Sequence, residues 1–266
     1  AVGIVEDLSG NLAGQNAGRF GRWPLPEGLL SDLMVHMRAN LTQDRIEELW
    51  VEGKSSGDAM RQLPCSAILA QEQSKIFSGD AQGDLPSYFR CEQLLRLYQE
   101  GRRWLTAEYR RADSGGNIRW VRCILHLASE PLTHCIHLYA YLIQIDRLRR
   151  WEQACGRPII RDIATQLYDR ATVERMANAM FHGQHTGDRA VVLFQIDGLA
   201  HSQPPGRHMP DQLHPDIAAA LSLALGGSCL LGQYSPTRIL ALFPAITSKD
   251  DLRRRLEEAV AFVQQA

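Results

Sequence analysis

Apolar and polar residues follow two different periods in this chain, and where the period changes the elements change with it. "AVGIVEDLS" at the start reads as one apolar strand ending in acids, and "GNLAGQNAGRFGRWPLPEG" behind it is dense in Gly and Pro, as an irregular linker is. "DLMVHMRANLTQDRIEELWVE" (32–52) has two strand-like halves about Thr42, Gln43 and Asp44 and predicts a hairpin. Short helices are predicted within 57–101. The clearest is "SYFRCEQLLRLYQEG", in which Phe89, Leu94, Leu95 and Tyr98 share a face and Gly101 ends the helix. From 104 to 146 the alternation of a strand returns, broken at Asp113-Ser114-Gly115-Gly116 and at Glu130-Pro131, and predicts three strands. Five strands with helices between the second and third imply an antiparallel α+β domain.

The second half reads differently. "RLRRWEQACGRPIIRDIATQLYDRATVERMANAMF" is mostly helical in pattern, interrupted near Gly156 to Pro158, and the domain boundary is placed here. "RAVVLFQIDGLA" predicts a buried strand, "PDQLHPDIAAALSLAL" a helix in spite of Pro215, and "LLGQYSPTRILALFP" a hairpin broken at Ser235-Pro236. "SKDDLRRRLEEAVAFVQQ" predicts a helix with Ser248 as its N-cap. The organisation is therefore 1–30 strand and linker, 31–148 an α+β domain, 149–161 helical linker, and 162–266 a second α/β domain.

Composition narrows the function. With 266 residues, 45% of them hydrophobic, the chain can bury two ordinary cores. A formal net charge of -1 gives no field to gather phosphates, which argues against nucleic acid as partner. The six cysteines (Cys65, Cys91, Cys123, Cys135, Cys155 and Cys229) lie far apart without a C-x-x-C pair, and a reducing cytoplasm suits them. No run approaches the roughly 18 to 20 apolar residues of a membrane span, and no signal peptide is visible. Opening at Ala1 without a methionine, the chain is expected to be a piece of something longer.

Two resemblances follow from particular residues. "EYRRADSGGNIRWVR" resembles the final strands of a PAS sensory domain, and "FRCEQLLRLYQEG" suits the helix that leads into them. The likeness extends over about 31–148 and implies a five-stranded antiparallel sheet with flanking helices; "AVGIVEDLS" resembles the last strand of a preceding PAS unit. From Asp162 on, the chain resembles the GGDEF family of diguanylate cyclases. "DIATQLYDR" stands where that family has D-x-L-T-G-L-x-N-R, "FQIDGLA" where it has D-x-D-x-F, "PDQLHPDIAAAL" where it has G-D-x-x-L-x-x-x-A-x-x-L, and "QYSPTRI" where it has R-x-G-G-D-E-F. Since that pattern continues past the last helix with further strands, the domain is expected to be truncated.

The departures decide what this second resemblance implies. A family member that joins two GTP molecules into cyclic di-GMP needs hard oxygen ligands for its metals, from the first carboxylate of the strand and an acid of the hairpin. Here the strand position is Gln195, and the hairpin acids are replaced by Thr237 and Arg238. An amide oxygen is a neutral ligand, and an arginine repels a cation. Ser235 and Pro236 stand where paired glycines let the phosphates approach the backbone, and Pro236 also lacks an N–H. The product-inhibition motif, R-x-x-D, would fall at Gly226 and Cys229 and is missing. Asp162, Thr165, Leu167 and Arg170 keep the opening motif, while Asp197 and Asp211 keep single acids that could still contact a guanine nucleotide.

Other groups carry less. His134 and His137, three apart on a predicted strand, point to opposite faces and cannot share an ion. His182 and His185 flank Gly183 at a predicted helix end, where histidine favours the negative end of the dipole. His201, His208 and His214 lie in or near a Pro-rich loop without zinc spacing. A heme would want a histidine on the helix before the third strand, which has none, and Cys91 lacks a flavin-reactive motif. Trp104, Tyr109, Trp120, Tyr139 and Tyr141 are expected in a core or a dimer face. Arg149, Arg150 and Trp151 mark the linker that, by the resemblance, passes a signal between domains.

The sequence therefore leads to a non-catalytic module of cyclic-di-GMP signalling. In it a PAS input is coupled to a degenerate GGDEF domain that mediates dimerisation or controls a neighbouring output domain such as an EAL phosphodiesterase. No catalytic residue, metal or cofactor is expected. The alternatives are a GTP-binding or residual diguanylate cyclase domain, with GTP or cyclic di-GMP as ligand, and a small-molecule-binding PAS sensor. A homodimer is the expected assembly.

Overall fold

A computed structural model of the chain describes residues 5–7, 32–51, 54–55, 63–80, 85–112, 115–156, 159–182, 187–196 and 215–265. Two compact units divide it, one within Leu30–Asp146 and the other within Arg147–Ala266 together with the N-terminal strand.

The first unit is an antiparallel sheet with helices inserted after its second long strand. Its strands are β2 (Leu33–Asn40), β3 (Arg45–Val51), the short β4 (Lys54–Ser55), β5 (Trp104–Ala112), β6 (Ile118–Ser129) and β7 (Ile136–Gln144), where β1 is the N-terminal strand Val5–Asp7. Their order across the sheet is β4-β3-β2-β7-β6-β5. The predicted hairpin is β2–β3, and Asp44 closes its turn with φ +48, a left-handed conformation that Asp tolerates. Helices α1 (Cys65–Ser74) and α2 (Cys91–Gln99), with a 3-10 turn over Leu85–Phe89, come before β5. This placement of five long strands and intervening helices is the arrangement that the PAS resemblance implies. Gly101 ends α2 with φ +88. The buried residues of α2 are Leu94 and Leu97, whereas Leu95 and Tyr98 are partly buried and Phe89 belongs to the turn before it.

Strand alternation sorts the sheet into two faces. Val121, Cys123, Leu125 and Leu127 of β6 join Leu138, Ala140 and Leu142 of β7 in one apolar core with Ile68, Leu69, Phe89, Leu94 and Leu97. The opposite face carries polar and aromatic rows. Trp104, His126, Tyr139 and Arg38 stand in register across four strands, with the Trp104 and His126 rings stacked at 4.3 Å. His36 stacks on Tyr141 at 5.0 Å, and Arg122 donates to Glu108 at 2.9 Å. Of the five predicted core aromatics, Tyr109 alone lies in the apolar cluster; Trp104, Tyr139 and Tyr141 are buried on the other face, and Trp120 is half-buried.

In the second unit, β8 (Asp188–Gln195) lies between β1, which is parallel to it, and β10 (Arg238–Ile246), which is antiparallel and pairs in turn with β9 (Leu230–Ser235). The strand expected to finish a preceding PAS unit thus joins β8. Helices α3 (Asp146–Ala154), α4 (Arg170–His182), α5 (Pro215–Leu225) and α6 (Lys249–Gln265), with a 3-10 turn over Gly226–Ser228, complete the described elements. Pro215 does not interrupt α5 but starts it, in the position where a missing N–H costs nothing. Ser248 caps α6 through its Oγ, which accepts the Asp251 N–H at 3.1 Å. Gly156, at φ +76, follows the end of α3, so the helical linker stops well before 161.

Residues 159–169, expected to be helical, form turns instead. Asp162 Oδ1 accepts the Thr165 N–H and hydroxyl, and Gln166 adopts φ +59 at the place where the GGDEF pattern has glycine. Tyr168 then pairs with β9: its N–H donates to Leu231 O at 3.0 Å, and its carbonyl accepts from Gln233 at 2.8 Å.

Two contacts yield predictions. A Cβ at Gly232 would fall 2.4 Å from Val173 Cβ, because α4 lies directly against β9. Gly232→Ala is expected to lower stability by about 1–3 kcal/mol in urea unfolding. Burial, with Arg103 nearby, pushes His126 down to about 4, so the folded chain keeps this ring neutral where the unfolded chain protonates it. Stability is fully present above the unfolded pKa of roughly 6.5 and falls as pH drops towards 4, by about 2 kcal/mol at pH 5. A His126→Phe variant should show a flatter dependence of melting temperature on pH between 7 and 5.

Candidate functional site

The end of β8 and the tip of the β9–β10 hairpin meet, and they bring together the positions where the GGDEF resemblance locates metal ligands. Pairing of β8 with β10 sets Gln195 opposite Arg238, and the Ile196 N–H donates to Thr237 O at 2.8 Å. The side chains bond to one another. Arg238 Nε donates to Gln195 Oε1 at 2.6 Å, and Gln195 Nε2 lies 3.4 Å from Thr237 Oγ1. Pro236 and Thr237 form the two-residue turn, with Ser235 as the last residue of β9. Chemically, the amide oxygen that could have faced a cation instead accepts a guanidinium proton, and the only formal charge among these three side chains is positive. Asp197 and Asp211 lie outside the described residues, as do His185, His201, His208 and His214.

The opening motif of this unit is occupied by its own turn. Asp162 is committed to Ala164 and Thr165, Leu167 is buried, and Arg170 pairs with Glu174 at 2.8 Å while covering the Tyr234 ring at 4.6 Å. These contacts give Asp162, Thr165 and Leu167 a structural role that needs no ligand.

At the linker, the sequence pointed to Arg149, Arg150 and Trp151. Arg150 is exposed and Trp151 half-buried on α3, and Arg149 donates to Glu152 at 2.6 Å. Glu152 itself was not singled out by the sequence, yet it is the buried residue there, 3% exposed. Its Oε1 accepts from Arg161 Nη2 at 2.7 Å and from the Tyr168 hydroxyl, and Arg161 also stacks over the Tyr168 ring at 4.3 Å. A carboxylate taken from water is tolerable only with such partners, so this cluster fixes α3 onto the segment that leads into α4. The spacing of a buried glutamate on an otherwise charged helix gives no local signal of this.

In the first unit His137, on β7, lies 3.3 Å from Glu47, which also pairs with Arg38 at 2.6 Å. Burial opposes ionisation of Glu47, but the Arg38 guanidinium and then His137 outweigh it and hold the carboxyl below its usual range. His134 is not on a strand: it occupies the turn before β7 with φ +56, so the two histidines are separated by turn geometry rather than by opposite strand faces. His182, the last residue of α4, bonds the Asn178 carbonyl at 2.8 Å, a helix-end contact. Cys91 is the first residue of α2 and Cys65 the first of α1; their side chains approach one another and Asp44, a convergence that their sequence spacing does not announce.

No family model matches the chain, and no curated protein does either. Solved structures similar to it include the N-terminal domain of a diguanylate cyclase with PAS/PAC sensor from Marinobacter aquaeolei, at 13% identity and a TM-score of 0.30, covering 43% of this chain and 97% of that one. A sensory box histidine kinase/response regulator from Burkholderia thailandensis E264 is similar at 15% identity and a TM-score of 0.29, covering 45% of this chain and 82% of that one.

Proposed function

We propose that the chain is a non-catalytic sensory and regulatory module of cyclic-di-GMP signalling. A PAS-like input is followed by a degenerate GGDEF-like domain that acts through dimerisation or on a neighbouring output domain such as an EAL phosphodiesterase. The contact of Arg238 with Gln195 carries this reading. Joining two nucleoside triphosphates at their ribose hydroxyls needs a Lewis acid beside the attacking oxygen and neutralisation of the triphosphate. An amide already bonded to a guanidinium supplies no anionic ligand for that metal, and a proline at the turn removes a backbone donor from the phosphates. The hairpin that remains is scaffold. Chain connectivity supports the regulatory half of the proposal: the boundary between the units falls at Asp146–Arg147, within α3, and Glu152 ties that helix to Arg161 of its own unit.

Incubation of the full chain with GTP and magnesium or manganese, followed by chromatographic detection of nucleotides, is expected to give no cyclic di-GMP above a protein-free blank. Appreciable product would overturn the proposal. Saturable GTP binding without product would favour the alternative of a nucleotide-binding domain over that of a residual cyclase.

One observation favours a second reading, a small-molecule sensor. The Tyr109 hydroxyl is buried in the apolar core between sheet and helices and has no hydrogen-bond partner among the described residues. Burial holds this phenol protonated, so it is a donor in need of an acceptor. Native mass spectrometry of the purified chain tests this: added mass that is lost in Tyr109→Phe supports a retained metabolite, and a bare mass counts against it.

A further inference from the structure

Asp44 closes the β2–β3 turn, Cys65 opens α1 and Cys91 opens α2. Their Sγ atoms and a carboxylate oxygen lie within 4.8 Å of one another, all inside the first unit. We propose that Cys65, Cys91 and Asp44 form a binding site for a thiophilic divalent cation of the zinc class, with a water molecule as fourth ligand.

The distances support coordination. A tetrahedral zinc with Zn–S of about 2.3 Å and Zn–O of about 2.0 Å holds sulfur and oxygen about 3.5 Å apart. Cys91 Sγ is 3.7 Å from Asp44 Oδ1, so the protein already spaces these two atoms as the ion would require. A disulfide would instead demand that the two sulfurs close to about 2 Å. The carboxylate is also oriented from behind, as metal-bound carboxylates are: Asp44 Oδ1 accepts the Ser66 N–H at 2.7 Å and Oδ2 accepts the Ser66 hydroxyl at 2.6 Å. The turn is fastened by a third bond, from Cys65 N–H to the Asp44 carbonyl at 3.2 Å.

Charge and access agree with this. Two thiolates and a carboxylate around a dication leave a net charge of about -1. That suits the first turns of two helices, whose free N–H groups present partial positive charge. On binding, each thiol gives its proton to solvent. Asp44 and Cys91 are half-buried, so the ion can enter from the surface and water can reach it, while Cys65 is fully buried and anchors the inner side. Bound there, the cation would tie the hairpin turn to the starts of both inserted helices more firmly than the hydrogen bonds from Ser66, the Cys65 N–H and the Cys91 thiol to Asp44 do.

The experiment uses the full chain, reduced and freed of metal by a chelator, and titrates it with cobalt(II), then with zinc. One cobalt per chain should bind with a thiolate-to-metal band in the near ultraviolet and the visible bands of a tetrahedral centre, and zinc should displace it. Cys91→Ser, at a half-buried position, should fold normally by circular dichroism and lose both sets of bands. Asp44→Asn should weaken binding about ten-fold or more. Cys155→Ser, altering a half-buried thiol elsewhere, should bind as the parent does. The proposal fails if the reduced chain gives no thiolate band, if the band survives Cys91→Ser, or if Cys155→Ser abolishes it. Oxidation of Cys65 and Cys91 to a disulfide in a chain that takes up no metal after reduction would overturn it in favour of a redox pair.

Discussion

The hydrogen bond between Arg238 and Gln195 is the contact on which the functional reading rests. Its partners stand opposite one another in the register of two antiparallel strands, which keeps the two side chains within reach of each other. A guanidinium in this position acts twice. It uses the amide oxygen as acceptor, and it places a permanent positive charge at the tip of the hairpin. An aspartate in place of Gln195 would attract the same arginine more strongly, as an ion pair.

What keeps the hairpin in shape lies away from its tip. Gly232 admits Val173 of α4 against β9, and Tyr168 adds a short parallel bridge to the same strand. The Asp162 turn fixes where Tyr168 stands, and Glu152 accepts the Tyr168 hydroxyl. These links form a chain from α3 through the turn segment into β9. None of them passes through Ser235, Pro236 or Thr237, so the described contacts that hold the hairpin do not depend on the side chains of its tip.

Much of this architecture is legible in the residues, because strand alternation and turn chemistry are local. The β2–β3 hairpin, the three strands after α2 and the cap of α6 at Ser248 are where period and punctuation locate them. The misread stretch is instructive. Residues 159–169 combine apolar and charged residues at helical spacing, but Ile160 and Ile163 are exposed rather than inward, and the left-handed Gln166 breaks any helix. The sequence reading had the pattern without the burial. His134 was misplaced for a related reason, since a positive φ at a non-glycine residue leaves no mark in composition. Glu152 and the Asp44, Cys65 and Cys91 convergence were invisible because each depends on elements brought together only by the fold.

The two units meet the cost of buried polar groups in different ways. In the second, Glu152 concentrates one carboxylate among two arginines and a tyrosine, and removing any partner would leave charge without compensation in a dry site. In the first, polarity is spread over one sheet face in cross-strand pairs, Arg122 with Glu108 and Arg38 with Glu47, with aromatic rings between them. Pairs spread in this way share no partner with one another, whereas the members of the Glu152 cluster all meet at one carboxylate.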